Sequence, residues 1–313
     1  MQLFELVLMP QYSQSIHIAS SSLEPLYPWT YAKLHWQHWI PDSKEANIPG
    51  IRASWANVQL DQQNLTAYAD ICGVNLVTDV AFLGDRGWYS HEIPPLYWLS
   101  LTAPIQMQLL QGDNLPLSLL TTRLAWIRVL AKKYLHKQTA IDFKFFLTAV
   151  EPSALGCQVT LLINAMIQEE IIWQAEVGFV SLGRQKLTEA FRQQQCHQNS
   201  QLLKVGYWYV PVDMGRQFAR ISGDYHPLYV SSLLARMMGY RRDVVQELWL
   251  LAAAIAHFPL PPQPFLLEAQ FGGPVYNGSK VDLFGLQNPR GYSFQLTTPC
   301  QQVPVISAKV VSC

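Results

Sequence analysis

Residues Asp224, His226 and Tyr229 place a carboxyl group, an imidazole and a phenol within six positions of one another. Carboxylates and imidazoles exchange protons near neutral pH, whereas a free phenol, with a pKa of about 10, is a poor base there. Pro227 fixes its own φ and favours an extended conformation at His226, so the loop is stiff. Residues two apart in an extended segment point to the same side, so Asp224 and His226 could form an acid–base dyad.

The sequence on either side of this loop predicts the elements that hold it. An apolar stretch leads into Ser222-Gly223, where turn-forming residues take over, and a short helix is expected from Leu228 to Gly239. Val244 to Phe258 is almost wholly apolar and is stopped by prolines. A helix without a polar face belongs inside the protein, so we expect this one to lie beneath a sheet.

A similar plan is found earlier in the chain. Residues 56–73 have a helical period that ends at Gly73, and Leu96 to Leu110 reads as an apolar helix that Pro104 must kink or divide. Runs rich in β-branched and aromatic residues follow both apolar helices. After the first they are IRVLAKKY, AIDFKFFLTAVE, CQVTLLINAMIQ and EIIWQAEVGFVSL, with a hairpin turn expected at Glu169-Glu170. After the second they are PFLLEAQFGGPVY, KVDLFGLQ, YSFQLTT and VISAKVVS. Helix then sheet, twice over, predicts an α+β protein of two equivalent units.

The loop and its surroundings resemble the motif of the MaoC-like, or (R)-specific enoyl-CoA hydratase, family. That motif reads Ser-Gly-Asp-x-Asn-Pro-[Ile/Leu]-His, followed by a helix of small residues and later by His-Gly before an apolar helix. The residues that match it or stand in for it closely are Ser222, Gly223, Asp224, Pro227, Leu228, Ala235, Gly239, Tyr240 and Trp249. The resemblance covers about residues 56 to 313. It implies a double hotdog, in which two curved antiparallel sheets each wrap a central apolar helix.

Three departures from the family motif concern the residues that would do the chemistry. His226 stands where the family has Asn, Tyr229 where it has its catalytic His, and Gln246-Glu247 replace its His-Gly. In the family, the Asp and the His together activate one water. That water adds to the double bond of an enoyl thioester, or leaves a (3R)-hydroxyacyl thioester in reverse. A backbone N–H near the start of the central helix stabilises the enolate-like oxygen.

The resemblance implies Asp224 as the catalytic carboxylate, His226 as a replacement imidazole and Tyr229 as a hydrogen-bond donor or acid. Structural interpretations stay open: Asp224 as a cap, His226 as a backbone-binding group like Asn, and Tyr229 as part of an acyl tunnel. Substrate contacts are expected from Ser222, Gly223, Gln246, Glu247, Arg241 and Arg242. Glu247 could instead only stabilise a helix N-terminus, and the arginines could form a solvated, salt-bridged surface.

The predicted organisation has four parts. Residues 1–55 are an unassigned N-terminal extension, and residues 56–185 form a first, non-catalytic hotdog. Residues 186–206 are polar and rich in Gln, which is typical of a linker. Residues 207–313 form the second, MaoC-like hotdog with the motif loop.

Composition excludes several classes of protein. Hydrophobic residues make up 50% of the 313 residues and charged residues 14%, which favours a large core. Twenty-two basic residues balance twenty-two acidic ones, so nucleic acid is not expected as a partner. The five cysteines lack metal-site or disulfide spacing, and His35 and His38 lack a third ligand, so no metal is expected. No apolar segment approaches the roughly 20 residues of a membrane span, and the N-terminus is a poor signal peptide, so a cytoplasmic protein is predicted.

The sequence therefore predicts a hydro-lyase of fatty acid metabolism: a hydratase or dehydratase of enoyl or (3R)-hydroxyacyl thioesters that needs no cofactor. The carrier of the acyl group, CoA or acyl-carrier protein, is left open, as is the choice between a monomeric double hotdog and a homodimer. Tyr229, in place of the motif His, supports an alternative. The protein would then be a catalytically impaired hotdog that binds acyl thioesters or acts as a scaffold.

Overall fold

The structure is a computed structural model. It describes residues 14–18, 51–73, 93–111, 115, 117–133, 140–153, 156–182, 201–259, 261–299 and 303–313. The strands are β1 (Gln14–Ile18), β2 (Ile51–Val58), β3 (Thr122–Ala131), β4 (Ile141–Ser153), β5 (Gly156–Ile167), β6 (Glu170–Leu182), β7 (Leu203–Tyr209), β8 (Phe265–Phe271), β9 (Lys280–Asn288), β10 (Gly291–Thr297) and β11 (Ile306–Ser312). The helices are α1 (Gln62–Cys72), α2 (Tyr97–Leu101), α3 (Ala103–Leu110), α4 (Met214–Ser222), α5 (Pro227–Val230), α6 (Ser232–Met237) and α7 (Glu247–Ile255), with a 3-10 turn at Leu119–Thr121.

All of these strands belong to one sheet, in the order β1-β2-β4-β5-β6-β3-β8-β11-β10-β9-β7. Neighbours pair antiparallel except β1 and β2, which run parallel. With β1 set aside, the two halves have the same strand order. From the outer edge of the sheet to its centre, the first half runs β2-β4-β5-β6-β3 and the second half runs β7-β9-β10-β11-β8. In each half, the second strand in the sequence therefore lies at the centre of the sheet. Both halves also place their helices between the first and second strands. The predicted α+β double hotdog is confirmed by this repeated topology.

The apolar stretches form the central helices, as predicted. Residues Trp249 to Ile255 of α7 are each at most 1% exposed. This helix begins at Glu247 rather than Val244, because Val244 forms a β-bridge with Tyr276. In the first half, the apolar stretch is divided into α2 and α3, and Pro104 lies in the first turn of α3, where its missing N–H is tolerated.

Turns and boundaries differ from the predictions by a few residues. The hairpin between β5 and β6 turns at Gln168 and Glu169, which both have positive φ, one residue earlier than expected. The boundaries expected at residues 55 and 206 both fall inside strands, since β2 spans the first and β7 begins before the second. Residues 52–55 thus pair with β4 as part of the first hotdog rather than of an extension.

The two halves are joined in the sheet and in the helical layer. In the sheet, β3 pairs antiparallel with β8. Among the helices, Trp249 Nε1 donates to the Ile71 carbonyl at 2.9 Å, and Asn64 Nδ2 donates to the Ile221 carbonyl at 3.0 Å. Helix α1 of the first half therefore contacts α7 and α4 of the second. Within the described ranges, no helix has the length and apolar character needed to cross a membrane.

Gly215 in α4 provides a test of how closely the helices of the second half pack. A Cβ atom at this position would overlap the backbone carbonyl oxygen of Tyr229 in α5. Gly to Ala stabilises most helices, by up to about 1 kcal/mol. Here we expect Gly215→Ala to lower the free energy of unfolding by about 1–3 kcal/mol, because α5 must move to make room.

Urea unfolding measures this effect. Arg220→Ala, on the exposed side of the same helix, is the control and should change the free energy of unfolding by less than about 0.5 kcal/mol. A stabilised Gly215→Ala protein would contradict the close approach of α4 and α5.

Candidate active site

The motif loop starts where α4 ends. Gly223 has a left-handed φ of 71°, and its N–H donates to the Ala219 carbonyl at 2.9 Å, which caps the helix. Ser222 Oγ accepts the N–H of Asp224 at 3.3 Å, and Asp224 Oδ1 accepts the N–H of His226 at 3.1 Å. The Asp224 carboxyl group thus holds its own loop in place, as the capping interpretation expects, and it also lines an internal cavity.

The imidazole of His226 is held by two backbone groups. Nδ1 accepts the N–H of Leu228 at 3.1 Å, so the ring proton is on Nε2, which lies 3.1 Å from the carbonyl oxygen of Leu119. Burial, and then the positive charge of Arg123, lower the pKa of His226 well below its usual value. The ring therefore fixes the backbone as an Asn would. The arrangement does not support His226 as the base of a dyad with Asp224, because both nitrogens are engaged by backbone groups.

A buried neutral imidazole makes stability depend on pH. Below about pH 6.5 an unfolded His takes up a proton that the folded His226 does not bind, so proton binding stabilises the unfolded state relative to the folded state. We expect the free energy of unfolding to fall between about pH 6.5 and 5 by up to about 1.4 kcal/mol per pH unit from this residue. His226→Asn removes the titrating group and should make that decline shallower.

Urea unfolding of both proteins from neutral pH down to about pH 5 tests this, since that range lies below the ordinary His pKa. The other histidines are the same in both proteins and serve as the internal control. Parallel pH dependences for the two proteins would show that His226 binds protons equally in the folded and unfolded states.

Tyr229 and Glu247 meet across the site. The Tyr229 hydroxyl donates to Glu247 Oε2 at 3.1 Å, which joins α5 to the start of α7. Burial raises the pKa of Tyr229 well above its usual value, and the negative charges of Glu247 and Asp224 add to this. Tyr229 therefore keeps its proton and serves as a hydrogen-bond donor, not as a base.

Glu247 is the first residue of α7 and is partly exposed. Burial raises the pKa of its carboxyl group, and Asp224 adds to the rise, while its own backbone N–H, Arg123 and the Tyr229 hydroxyl oppose it. The carboxyl group thus holds its proton to higher pH than an ordinary glutamate.

Arg123, from β3 of the first half, brings a buried positive charge to this site and is only 7% exposed. Its Nε donates to the Tyr240 hydroxyl at 3.1 Å, and its Nη1 to the Thr122 carbonyl at 2.6 Å. Burial alone would lower the pKa of Arg123, but Tyr240, Tyr229 and Glu247 outweigh it and the net shift is upward. The site of the second half therefore depends on a cation from the first.

The cavity beside Asp224 lies between the halves and has a volume of about 80 Å³. The motif loop and the start of α7 provide its polar side. The first half provides a mostly apolar side, with Leu99, Ala103, Met107, Leu124, Val177 and Phe179. A carboxyl group at one end of an apolar cavity suits a substrate with an apolar chain and a reacting group beside it.

Some of the residues that were expected to contact the substrate line the cavity, and others do not. Ser222, Gln246 and Glu247 line the cavity, but Gly223 does not. Gln246 Nε2 donates to the Gly215 carbonyl at 3.0 Å, and within the described part of the chain its buried Oε1 has no hydrogen-bond partner. Gln246 therefore offers an acceptor to a bound molecule, whereas Gly223 has a structural role in the helix cap.

Arg241 and Arg242 do not line the cavity. The Arg241 backbone carbonyl accepts from Arg236 Nε at 3.2 Å, and Arg242 Nε forms a salt bridge of 3.3 Å with Oδ1 of the buried Asp243. Their role as phosphate contacts stays a prediction. His35, His38, Cys196 and His197 lie outside the described residues.

A larger groove, of about 550 Å³, lies on the face of the sheet opposite α7. Its lining includes the salt-bridged side chains of Arg128, Glu268 and Lys309, and none of the motif residues. We place the site at the smaller cavity, because the proton-exchanging side chains converge there.

Arg123 and the first-half cavity lining are functional candidates that the sequence did not reveal. Arg123 is buried against Tyr240, 117 positions later in the chain. Its burial depends on a contact between the halves, and a single Arg at the start of a strand carries no local signal of such a contact. Gln106, which also lines the cavity, was likewise hidden within the apolar helix that it shares with Ile105 and Leu109.

Comparisons with known proteins agree with this fold. No protein-family model matches the sequence. Among curated proteins, the chain is similar to 3-hydroxyacyl-thioester dehydratase X of Mycobacterium tuberculosis, with 18% identity over 269 residues, or 84% of this chain and 90% of that protein.

Solved structures with the same fold cover most of the chain. HtdX of Mycobacterium tuberculosis has a TM-score of 0.68 at 16% identity, covering 84% of this chain and all of that one. A MaoC-like dehydratase from Phytophthora capsici has a TM-score of 0.65 at 14% identity, covering 86% of this chain and 96% of that one. Peroxisomal multifunctional enzyme type 2 from Drosophila melanogaster has a TM-score of 0.60 at 16% identity, covering 84% of this chain and 48% of that longer one. These comparisons confirm the expected fold, because the chain has the double-hotdog fold in common with the MaoC-like dehydratase from Phytophthora capsici.

Proposed function

We propose that this protein is a hydro-lyase that adds water to an enoyl thioester or removes it from a 3-hydroxyacyl thioester. The observation that carries the proposal is Asp224, which stands at the motif position of the catalytic carboxylate and lines a cavity with an apolar far side. The dehydratase names of the similar proteins support the same reaction type.

We propose a position in the cavity for each part of such a substrate. The acyl chain lies against the apolar side chains of α2 and α3, and its reacting carbons lie beside Asp224. The first turn of α7 supplies N–H groups that have no partner within the helix and suit the thioester oxygen as it gains negative charge.

The size of the cavity favours a short acyl chain. Its volume of about 80 Å³ is small beside the roughly 300–1,000 Å³ of typical small-molecule sites. Longer chains require Met107, a flexible side chain in the lining, to move aside. We therefore expect kcat/KM to fall as the acyl chain lengthens. The carrier is CoA or an acyl-carrier protein, and the cytoplasmic location and the monomer or homodimer assembly remain predictions of the sequence.

The test is hydration of crotonyl-CoA and of longer enoyl-CoAs, followed by the loss of absorbance of the conjugated thioester. A thiol reagent in a parallel assay detects hydrolysis of the thioester. Loss of the double bond without release of CoA is the expected result. No turnover above a heat-denatured control for any chain length would refute the proposal.

A second candidate is a protein that binds acyl thioesters without converting them. Tyr229 in place of the family's His favours it, together with the engagement of both His226 nitrogens by the backbone. Calorimetry with crotonyl-CoA separates the two candidates, because the second predicts saturable binding with no turnover.

A further inference from the structure

The carboxyl group of Glu247 lies between the reacting space and a buried cation. Glu247 lines the cavity of about 80 Å³ together with Asp224. It also lines a recess of about 10 Å³ together with Arg123 and Tyr240. Glu247 therefore borders both the cavity and the recess that Arg123 lines, and the positive charge of Arg123 acts on its carboxyl group.

One hydrogen bond holds that carboxyl group in place, and the charge of Arg123 acts on it from nearby. The Tyr229 hydroxyl donates to Oε2 at 3.1 Å, so the other carboxyl oxygen can carry a proton. Arg123 Nη2 is buried and has no hydrogen-bond partner among the residues that the structure describes, whereas its Nε and Nη1 donate to Tyr240 and Thr122. A buried cation with a donor to spare stabilises an anion that forms beside it. Glu247 is thus arranged to give up a proton and to be stabilised once it has done so.

We propose that Glu247 is the second acid–base group of this site, with Tyr229 and Arg123 as the residues that position it. This inference rests on the proposed hydratase function and deepens it. The family uses a His at the position of Tyr229, whereas here the proton-carrying group comes from the start of α7. Asp224 and Glu247 then act as a pair of carboxyl groups, one ionised and one protonated, as close pairs of carboxyl groups commonly are.

The hydration step balances with these two groups and one water. The water oxygen bonds to Cβ of the enoyl thioester while a water proton passes to the Asp224 carboxylate. The π electrons of the Cα–Cβ bond move toward the thioester carbonyl, and Cα takes the proton of the Glu247 carboxylic acid. Transfer of the proton from Asp224 to Glu247 restores the pair. Dehydration is the same sequence in reverse.

The pH dependence of kcat follows from these roles. In the described part of the chain, the titratable groups around Glu247 are Arg123 on β3, Asp224 and His226 in the motif loop, Tyr229 on α5 and Tyr240 after α6. Hydration needs Asp224 ionised and Glu247 protonated, so kcat should fall at low pH and again as the pH rises through the pKa of Glu247.

The main variant is Glu247→Gln, which keeps the size of the side chain and an oxygen that can accept from Tyr229. We expect kcat for crotonyl-CoA hydration to fall by about 10²-fold or more, the usual contribution of an acid–base group, with little change in KM. Glu176→Gln, a partly exposed residue on β6, is the matched control and should keep the activity of the natural protein. Thermal unfolding establishes that both variants are folded.

Tyr229→Phe tests the positioning role. Removing the donated hydrogen bond raises the pKa of Glu247, because that bond favours the ionised carboxyl group. The decline of kcat at high pH should therefore move to higher pH in Tyr229→Phe, whereas a role for Tyr229 in packing alone would lower kcat without moving the profile. This readout also applies if Glu247→Gln does not fold.

The outcomes separate this inference from the proposed function. An active natural protein whose Asp224→Asn variant is inactive, but whose Glu247→Gln variant keeps full kcat, overturns the role of Glu247 alone. An unshifted pH profile in Tyr229→Phe overturns the positioning role. A natural protein that releases CoA from crotonyl-CoA without losing the double bond overturns the hydratase function itself, because water is then directed at the carbonyl carbon.

Discussion

Asp224→Asn is expected to lower kcat/KM for crotonyl-CoA hydration by about 10³-fold or more, toward the upper range for removal of an acid–base group. The substitution is selective, since an Asn oxygen can still accept the N–H of His226 that Asp224 Oδ1 accepts at 3.1 Å. The loop should therefore keep its conformation, and the variant should bind substrate but not take the proton from water.

Three further variants serve as controls for the Asp224→Asn variant. Asp224→Ala removes both the proton acceptor and the loop hydrogen bond, so it should lose thermal stability as well as activity, by about 0.5–2 kcal/mol as for other lost caps. Asp213→Asn changes an exposed carboxylate just ahead of α4 and should leave the rate as it is. His226→Asn separates the loop from the chemistry, because activity that survives it excludes the imidazole as the essential base. Asp224→Asn activity within a few-fold of the natural protein would contradict the assignment of Asp224.

The fold could be predicted from the sequence because its strongest signals are local. An apolar run such as LWLLAAAIA cannot have a wet face, and the strand runs after it alternate or remain apolar over their whole length. The division of the first central helix could be predicted from the position of Pro104, because a Pro in a helix interior removes a hydrogen bond. The repeat of helix and sheet then gave the double architecture.

The site could be predicted only in part, because its chemistry depends on contacts between distant segments. The motif gave Asp224 and the loop around it. The sequence left His226 between a base and a backbone-binding residue, and its contacts with the Leu228 N–H and with the carbonyl of Leu119, 107 positions earlier, favour the second. The spacing of Tyr229 and Glu247 does not reveal that they touch, because the intervening α6 and the turn at Gly239 bring them together.

The role inferred for Glu247 from the sequence differs from the role inferred from the structure. In the sequence it is an acidic residue at a helix start, where it stabilises the helix dipole. In the structure its carboxyl group accepts a hydrogen bond from the Tyr229 phenol and feels the charge of a buried guanidinium from the other half of the chain. In the mechanism that we propose, Glu247 takes the place of the motif His, and the first half supplies a charge that a single-hotdog sequence motif does not contain.

The contacts between the two halves should also contribute to the free energy of unfolding, and we expect the largest contribution from Trp249. We expect Trp249→Ala to lower the free energy of unfolding by about 3–5 kcal/mol, as for other large aromatic residues removed from cores. Trp249 is fully buried, and its Nε1 donates to the Ile71 carbonyl at 2.9 Å, so the substitution leaves both a cavity and a carbonyl without its donor.

Trp249→Phe divides this effect into its two parts. It keeps most of the ring but removes the N–H group, and we expect the loss of the hydrogen bond to α1 to contribute about 1 kcal/mol of its cost. Urea unfolding of the two variants measures both quantities, with Leu233→Ala, at a residue 69% exposed, as a control within about 0.5 kcal/mol of the natural protein. If Trp249→Ala unfolds in two separate transitions, α1 and α7 are the contact that makes the halves unfold together. If it loses less than about 1 kcal/mol, the first half does not depend on this helix, and the coupling between the halves must come from the pairing of β3 with β8.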